Sequence, residues 1–391
     1  MLRRTLTVAV AAVLLVAPAT AAAAAPSGVD LQTKLDAVAE AGMPGVFAEV
    51  RDGRQVWSPT AGVIDVRSDR PVRDGLRHRV GSITKTFVAT TMLQLAGERR
   101  VALDAPIGRY LSARLVPREV GARVTVRMLL NHTSGIGDFD SELLRSEEDI
   151  VEIGRTTYTP EQLARIGLAA PPTTGWSYSN TNYVLAGLII EKVTGHSYRA
   201  EVSRRILRPL RLTDTYFEGS DPTIRGPHMH AYVPWPPAGE LRDFTRYNMS
   251  WLFGAGEMVS TADDLNVFYR ALLTGRLLSP ALLAEMKTTV PSDPENPEAS
   301  GYGLGLYWIQ LPDGKVWGHD GSVIGHQTVS WHTEDGKRQM TYAQSMSFYQ
   351  TAPGVPHPID IARAQFWVAA FSDAEAVTAR SAPDLNRHLV S

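Results

Sequence analysis

The chain has 391 residues, of which 44% are hydrophobic and 20% are charged, so its composition is that of an ordinary globular protein. The formal net charge of −2 gives no support for a nucleic-acid partner or for binding to an anionic membrane. The chain has no cysteine, which excludes disulfides, a thiol nucleophile and cysteine metal ligands.

Residues 1–25 have the pattern of a cleaved export signal. Arg3 and Arg4 form a charged start, residues 6–16 form an apolar core, and the alanines at 21–25 offer a cleavage site. The apolar core is too short to remain as a membrane anchor, and no other stretch is long and apolar enough to cross a bilayer. We therefore expect a secreted protein that has no membrane contact once the signal is removed.

Periodicity and turn residues divide the rest of the chain into predicted elements. The predicted helices cover residues 29–42, 160–168, 183–193, 262–273 and 359–371. The predicted strands cover residues 46–50, 55–61, 307–310, 315–318, 327–333 and 339–346. Two proline-rich stretches, 221–239 and 291–299, are predicted to be surface loops.

The order of these elements predicts an α+β fold. Strands from both ends most simply form one antiparallel sheet flanked by the terminal helices, and the helical middle then inserts as a second lobe. We expect one domain over residues 26–374, with the sheet lobe at 26–75 and 300–374, the helical lobe at 76–299, and a polar tail at 375–391. A functional site is expected between the two lobes.

The most informative short stretch runs from Gly81 to Phe87 and opens an apolar helix. Residues three apart share one face of a helix, so the Ser82 hydroxyl and the Lys85 amine can lie side by side. Serine is a weak nucleophile until a base takes its proton, and lysine can be that base only if its pKa falls well below about 10.4. Six of the 39 basic residues are lysines, and only Lys85 has a serine three residues before it. Taken alone, a serine three residues before a lysine could also occur by chance.

A second run, at residues 177–180, lies on a loop between prolines and a predicted helix. A phenol such as that of Tyr178 can relay protons when it lies beside a lysine. The side-chain amide of Asn180 offers both a donor and an acceptor to a substrate amide. By itself the run is more typical of an ordinary loop.

A third run, at residues 318–322, follows a predicted strand. Its glycines, Gly321 among them, allow a substrate backbone to approach the strand edge. The backbone N–H of Ser322 could form an oxyanion hole together with that of Ser82. His319 could hold the phenol or a substrate carboxylate electrostatically, although a structural histidine is the alternative.

Taken together, the three runs resemble the motifs of one family. Ser82-x-x-Lys85, Tyr178-x-Asn180 and His319-x-Gly321 occur in the order found in penicillin-recognising serine hydrolases, which include class C β-lactamases, D-alanyl-D-alanine carboxypeptidases and related esterases. Further runs that fit this family lie at 129–135, 178–183, 210–215, 254–265 and 301–306. The likeness is greatest to the exocellular actinomycete carboxypeptidases, over residues 30–372, and it implies a β-lactamase/transpeptidase-like fold.

The resemblance implies a catalytic role for four residues. Ser82 would attack a carbonyl carbon while Lys85 takes its proton. Tyr178, tuned by Lys85 and His319, would pass a proton to the leaving group and later help to activate the hydrolytic water. The product of the first step would be an acyl-enzyme.

The resemblance also implies how a substrate is bound. Asn180 would bind the amide of the acyl side chain, the N–H groups of Ser82 and Ser322 would hold the oxyanion, and Trp251 would form a wall of the pocket. No metal or organic cofactor is implied. The histidine pairs 228/230 and 319/326 lack a carboxylate at a recognised ligand spacing, so surface or strand positions are preferred for them.

Two residues depart from the pattern of the carboxypeptidases. Those enzymes have an arginine directly after the run that matches residues 301–306, and it reads the terminal carboxylate of the substrate; Tyr307 stands here instead. Their third motif is His-Thr-Gly, whereas this chain has Asp320 at the middle position. The loss of a cation and the gain of a carboxylate both disfavour a substrate carboxylate, so strict carboxypeptidase specificity is in doubt.

These observations predict a secreted, monomeric serine hydrolase. Its expected substrates are D-amino-acid peptides or cell-wall fragments such as peptidoglycan stem peptides, with β-lactams as inhibitors. An esterase or a β-lactamase of the same family is the nearest alternative. A penicillin-binding sensor with slow turnover is the alternative from another functional class.

Overall fold

The computed structural model describes residues 28–236, 239–350 and 355–372, so the predicted signal and polar tail lie outside the described residues. The helices are α1 (Gly28–Glu40), α2 (Thr84–Gly97), α3 (Arg118–Arg123), α4 (Val126–Leu130), α5 (Asp140–Leu143), α6 (Glu147–Ile153), α7 (Pro160–Ala169), α8 (Asn180–Thr194), α9 (Tyr198–Val202), α10 (Arg208–Leu210), α11 (Ala262–Leu273), α12 (Pro280–Lys287) and α13 (Pro358–Phe371). The strands are β1 (Gly45–Asp52), β2 (Gln55–Trp57), β3 (Thr60–Gly62), β4 (His78–Arg79), β5 (Tyr216–Phe217), β6 (Tyr232–Trp235), β7 (Glu240–Asp243), β8 (Met258–Ser260), β9 (Val290–Pro291), β10 (Ser300–Tyr302), β11 (Tyr307–Leu311), β12 (Gly314–Val323), β13 (His326–His332) and β14 (Arg338–Gln344). None of the helices in these ranges has both the length and the apolar character needed to cross a bilayer.

Strands from both ends of the chain form one sheet. Within the described residues the sheet has nine strands: eight follow the order β2-β1-β14-β13-β12-β11-β10-β9, and β3 pairs with β1. The pairs are antiparallel, and β1 pairs with β14 so that Val46 lies opposite Gln344 and Asp52 opposite Arg338. The predicted antiparallel sheet built from both chain ends is therefore confirmed.

Helices cover both faces of this sheet. Successive residues of a strand point to opposite faces. On one face, Tyr342 of β14 packs against Phe366 and Trp367 of α13, and α13 packs on α1. On the other face, Thr341 donates a hydrogen bond to the side-chain oxygen of Asn266 in α11 at 2.9 Å. The terminal helices thus cover one face and the helical lobe covers the other.

Helix α2 runs through the helical lobe. It is buried from Phe87 to Leu93 and at Leu95, and it packs on α8, α9 and α12. A short 3₁₀ turn, Gly81–Ile83, precedes it. Ser82 therefore lies in that turn and Lys85 in the first turn of α2. The turn contacts β12 and β13, which brings Ser82 to the boundary between the two lobes.

Some predicted segments have different bounds in the structure. Residues 55–61 form two short strands, because Pro59 lacks the N–H that a continuous ladder needs. The predicted loop at 221–239 contains β6, which pairs with β7. Strand β12 continues to Val323 instead of ending at Gly318, and its residues after Gly318 pair with β13 but extend beyond β11. This extension leaves one edge of β12 facing the 3₁₀ turn of Ser82.

Candidate active site

Ser82 and Lys85 lie side by side, as their spacing predicts. Lys85 is fully buried, and its Nζ lies 2.9 Å from Ser82 Oγ. The same Nζ contacts the side-chain oxygen of Asn180 at 2.7 Å and the carbonyl oxygen of Ala255 at 2.8 Å. Three oxygen neighbours therefore hold the amine in place beside the hydroxyl.

The environment of Lys85 favours its neutral form. Burial lowers the pKa of Lys85 to about 7, against the opposing fields of Asp140, Asp138 and Asp320, which stabilise its charge. A large fraction of the amine is then unprotonated near neutral pH. Lys85 can therefore accept the proton of the Ser82 hydroxyl.

Tyr178 completes the group of hydroxyls and amine. Its hydroxyl is hydrogen-bonded to Ser82, and Lys85 Nζ lies 4.8 Å from the centre of its ring. Burial raises the pKa of Tyr178 well above its usual range, so the phenol keeps its proton at neutral pH. A protonated phenol beside the nucleophile can donate to a leaving group.

Asn180 has different partners from those that its predicted role requires. Its side-chain nitrogen donates to Asp140 Oδ2 at 2.7 Å and to Asp138 Oδ2 at 3.1 Å, while its oxygen accepts from Lys85. Its backbone N–H donates to Asp138 Oδ1 at 3.0 Å. Both amide hydrogens are thus engaged by carboxylates. The amide is therefore not free to bind the acyl side chain of a substrate, which is the role that the resemblance implied for it.

Asp138 and Asp140 were not predicted as site residues. Burial raises the pKa of both carboxyls, and for Asp140 the neighbouring Asp138 raises it further. Asp140 Oδ1 is buried, and among the described residues it has no hydrogen-bond partner. The signal that would have found this pair is the acidic repeat at 138 and 140, directly after the matched run at 129–135.

The turn of Ser82 and the end of β12 are in direct backbone contact. A Cβ on Gly81 would lie 2.8 Å from the nitrogen of Ser322, and Gly81 has a left-handed φ of 53°. A Cβ on Gly321 would lie 2.8 Å from the nitrogen of Ser82 and 1.9 Å from the oxygen of Val80. Only glycine allows this approach. It brings together the two segments that carry the N–H groups of the predicted oxyanion hole.

Tyr307 and Asp320 lie next to each other at the ends of β11 and β12. The Tyr307 hydroxyl donates to Asp320 Oδ1 at 2.6 Å, and the Asp320 side chain is 18% exposed. The field of Asp320 reaches Lys85. The two departures from the carboxypeptidase pattern therefore form one acidic feature near the reactive residues, and a substrate carboxylate would be repelled there.

His319 and Trp251 are both more deeply placed than a substrate-contacting role suggests. His319 is 1% exposed, and its Nε2 lies 2.8 Å from the hydroxyl of Tyr302, a residue that was not predicted to belong to the site. Trp251 is 3% exposed and packs in the core of the helical lobe. It has little surface to offer to a substrate, and its role as a pocket wall stays a prediction.

Within residues 28–236, 239–350 and 355–372, no three His, Asp or Glu side chains converge in a way that could hold a metal ion. The surface pair His228 and His230 instead lies beside Asp243, which accepts from His230 Nδ1 at 3.0 Å.

Comparison with known proteins gives consistent results. The beta-lactamase family model matches residues 31–351. A D-stereospecific amidohydrolase from a Streptomyces species, known from a crystal structure, is 40% identical with a TM-score of 0.75, over 82% of this chain and 95% of that chain. The D-amino acid amidase of Ochrobactrum anthropi SV3, solved with L-phenylalanine amide, is 26% identical with a TM-score of 0.74, over 87% and 97% of the two chains. Penicillin-binding protein 4* of Bacillus subtilis is 26% identical over 320 residues, which are 76% of this chain and 67% of that protein.

The chain spans 55 to 67% of the length of the first curated relatives that it matches. It covers nearly the whole of the two solved structures. The expected α+β class with a β-lactamase/transpeptidase-like arrangement is confirmed by these matches.

Proposed function

The chain belongs to the beta-lactamase family of serine hydrolases, and from that premise we propose that it cleaves amides or esters of D-amino acids that carry a free α-ammonium group. The reaction runs through an acyl-enzyme on Ser82. This class lies within the predicted range of D-amino-acid substrates, but it is narrower than cell-wall peptides in general.

The first chemical step uses the contacts around Ser82. Lys85 takes the hydroxyl proton as Ser82 Oγ bonds to the substrate carbonyl carbon. Lys85 Nζ and Ser82 Oγ are 2.9 Å apart, close enough for this transfer. The N–H groups of Ser82 and Ser322 stabilise the oxyanion. Tyr178 passes a proton to the leaving amine or alcohol as its bond to the carbonyl carbon breaks. Lys85 returns a proton to Tyr178. Water then attacks the acyl carbonyl carbon while Lys85, assisted by Tyr178, takes one of its protons, and that proton passes to Ser82 Oγ as the ester bond breaks and the acid leaves.

The observation that carries the proposed substrate class is the carboxylate pair beside the nucleophile. Asp138 and Asp140 are held by Asn180, which in turn contacts Lys85. Asp140 Oδ1 is buried and has no partner among the described residues, and a substrate ammonium group there would satisfy it and stabilise the ionised form of a carboxyl whose pKa burial raises. The α-ammonium of an aminoacyl group lies two bonds from the carbonyl carbon that Ser82 attacks, and Asn180 links Asp140 to Lys85, so the proposal places the ammonium group at this carboxyl.

The leaving-group side supports an amide or ester more than a peptide with a free carboxyl end. The Tyr307–Asp320 pair presents a carboxylate there and lacks the cation that a terminal carboxylate requires. The names of the two solved relatives, an amidohydrolase and a D-amino acid amidase, agree with such substrates and supply the argument for the D configuration.

Three further proposals, on export, oligomeric state and inhibition, rest on the sequence alone. Residues 1–25 support export, so the enzyme would act outside the cytoplasm. It would act as a monomer. Of the expected cell-wall substrates, peptidoglycan stem peptides that end in a free carboxylate are disfavoured by Asp320, whereas β-lactams are proposed as acylating inhibitors because Ser82, Lys85 and Tyr178 match the family motifs.

The first test is covalent labelling followed by a substrate panel. Intact-mass analysis with a fluorophosphonate or a penicillin should give an adduct on Ser82 that Ser82→Ala lacks. Among amides, D-phenylalanine amide should be hydrolysed faster than its L enantiomer and than N-acetyl-D-phenylalanine amide. A diacyl-Lys-D-Ala-D-Ala peptide should be a poor substrate. Preference for that peptide, or for the N-acetylated amide, would contradict the proposed substrate class.

The carboxylate pair is tested by Asp140→Asn, which keeps an acceptor for Asn180 and removes the charge. For D-phenylalanine amide, kcat/KM should fall roughly ten- to hundred-fold, since a hydrogen bond to a charged group contributes about 1.5–3 kcal/mol. Hydrolysis of a nitrophenyl acetate, which has no ammonium group, should not fall. Asp320→Asn is the matched control, because it removes a neighbouring charge on the leaving-group side. Equal losses on both substrates in Asp140→Asn would disprove the ammonium site.

A further inference from the structure

Four of the sequence runs that fit the family meet in one buried chain of hydrogen bonds. These hydrogen bonds join His132, from the run at 129–135, to Tyr302, from the run at 301–306, and then Tyr302 to His319, from the third motif. All three side chains are at most 2% exposed. At its outer end the chain reaches Ser179, from the run at 178–183. None of these contacts is used by the reaction described above.

The donors around His132 determine where its proton lies. The backbone N–H of Ser179 donates to His132 Nδ1 at 3.1 Å, and the side-chain nitrogen of Asn182 lies 3.2 Å from the same atom. The hydroxyl of Ser134 donates to the Asn182 oxygen at 2.7 Å, which directs the Asn182 nitrogen towards the ring. Nδ1 is therefore an acceptor, and Nε2 carries the proton. His132 Nε2–H then donates to the Tyr302 hydroxyl oxygen at 3.3 Å.

The other end of the chain is determined in the same way. His319 Nδ1 lies 2.5 Å from the backbone carbonyl oxygen of Asp320, and a carbonyl can only accept. Nδ1 of His319 therefore carries a proton. In the neutral ring Nε2 is then an acceptor, and the Tyr302 hydroxyl donates to it at 2.8 Å.

We propose that Tyr302 is a positioning residue, which fixes both histidines as neutral rings in defined tautomers through a one-way chain from Ser179 to His132, Tyr302, His319 and Asp320. The chain ends on the two elements that the reaction needs. The ring of His132 lies against the ring of Tyr178, with centroids 4.2 Å apart. His319 lies three residues before Ser322, on the strand end that contacts the turn of Ser82.

The groups that face the two rings are mostly uncharged. His132 is faced by the aromatic rings of Tyr178, Tyr183, Tyr302 and Trp176. His319 is faced by Tyr302, Tyr307 and Asp320; the Asp320 carboxylate, which accepts from Tyr307, lies 3.7 Å from His319 Nδ1 and is the neighbour that favours a charged ring. An imidazolium at 319 would direct a second N–H at the Tyr302 oxygen, which accepts from His132, and would turn the Tyr302 proton to the Tyr183 hydroxyl. A neutral His319 would differ from the electrostatic role expected from the sequence.

The tautomers can be read directly, without substrate. Long-range ¹H–¹⁵N NMR on protein labelled in the histidine rings distinguishes Nδ1–H, Nε2–H and doubly protonated rings, with His132→Gln and His319→Gln to assign the two signals. At pH 7.5 we expect His132 as the Nε2–H form and His319 as the Nδ1–H form. A doubly protonated His319, or the opposite tautomer of either ring, would overturn the proposal.

Tyr302→Phe then tests the link, because it removes the hydroxyl and keeps the ring. We expect mixed tautomers at both histidines and a fall in kcat of about tenfold with KM little changed, the size of effect that one lost hydrogen bond produces. Tyr342→Phe, which removes another buried hydroxyl that bonds to Gln344, is the control and should leave both tautomers unchanged. Unchanged tautomers in a folded Tyr302→Phe protein would refute the link. The rate measurement rests on the proposed function, whereas the NMR measurement does not, so the two can fail separately.

Discussion

At the scale of single residues, the chemistry depends on one buried amine. Among the described residues, the hydrogen-bond partners of Lys85 are the uncharged oxygens of Ser82, Asn180 and Ala255. Uncharged partners compensate poorly for the burial of an ammonium group, so the pKa of Lys85 falls to about 7. Asp138 and Asp140 act one residue further out, through Asn180, and oppose that fall.

This placement predicts how acylation depends on pH. The rate of Ser82 acylation should rise with pH, reach half its maximum near pH 7 and level off above that, because Lys85 is a base only when it is unprotonated, and its pKa is about 7. In Asp140→Asn the rising limb should move to lower pH, since the charge that stabilises the ammonium form is removed. Stopped-flow acylation by a chromogenic ester measures both.

A variant that cannot lose its proton provides the control for this profile. Lys85→Arg keeps a cation but offers no base at accessible pH, so acylation should fall by roughly 10²- to 10⁴-fold at every pH. A flat profile in the wild type, or substantial acylation in Lys85→Arg, would exclude Lys85 as the base.

At the scale of elements, the site depends on how closely two backbones approach. The end of β12 extends beyond β11, and its free edge lies against the turn that carries Ser82. Gly321 and Gly81 are the contact points, and neither position has room for a side chain. The separation of the strand end from the turn therefore sets whether the N–H groups of Ser82 and Ser322 point into one space.

Gly321→Ala is the corresponding test. The new Cβ would lie 1.9 Å from the Val80 oxygen, so the strand end has to move away from the turn. We expect acylation to fall by about 10²-fold, the loss typical of one oxyanion donor, in a protein that remains folded. Lys315→Ala, an exposed change at the other end of β12, should leave acylation unchanged. Full activity in Gly321→Ala would show that this contact is not needed for the oxyanion hole.

At the scale of the whole molecule, several histidines are buried where the two lobes meet. His78 in β4 is fully buried beside Phe47 of β1, and burial lowers its pKa to about 3. Burial also lowers the pKa of His326 and His332 well below the usual range. Each of these rings has to be neutral in the folded protein, so together they link folding to pH.

The sign of this linkage follows from the depressed pKa. Unfolded histidine binds a proton at a pKa of about 6.5, so the stability from a neutral His78 is complete above that pH and is lost as the pH falls from 6.5 towards 3. His78 alone corresponds to a loss of up to roughly 5 kcal/mol at about 1.4 kcal/mol per pKa unit. Urea unfolding between pH 4.5 and 7.5 should therefore give a steep fall in the free energy of unfolding on the acid side.

Two variants separate His78 from the other titrating groups. His78→Gln removes one titrating ring, so its free energy of unfolding should depend less steeply on pH, whatever its absolute stability. His196→Gln, at an exposed histidine, should retain the wild-type slope. Identical slopes in all three proteins would show that His78 does not contribute to the acid instability.

The sequence alone determined the parts of this protein that depend on local spacing. Ser82 and Lys85 are one helical turn apart, so their contact follows from helix geometry. The alternation of short strands at both chain ends was enough to predict the antiparallel sheet and its flanking helices. Tyr178, Asn180 and His319 were identified from the order of the family motifs along the chain, which can be compared without any knowledge of distances in space.

Only the tertiary structure decided which partners these residues have. The side-chain nitrogen of Asn180 donates to Asp138 and Asp140, which lie 40 or more residues earlier in the chain. Nε2 of His319 is hydrogen-bonded to Tyr302, 17 residues earlier. Hydrogen-bond partners of buried groups depend on which elements meet, and one-dimensional spacing carries no information about that meeting. The contact of Ser82 with Lys85 could therefore be predicted from the sequence. The positions of Asp138 and Asp140 and the hydrogen bonds through Tyr302 depend on how the two lobes pack, and only the tertiary structure shows them.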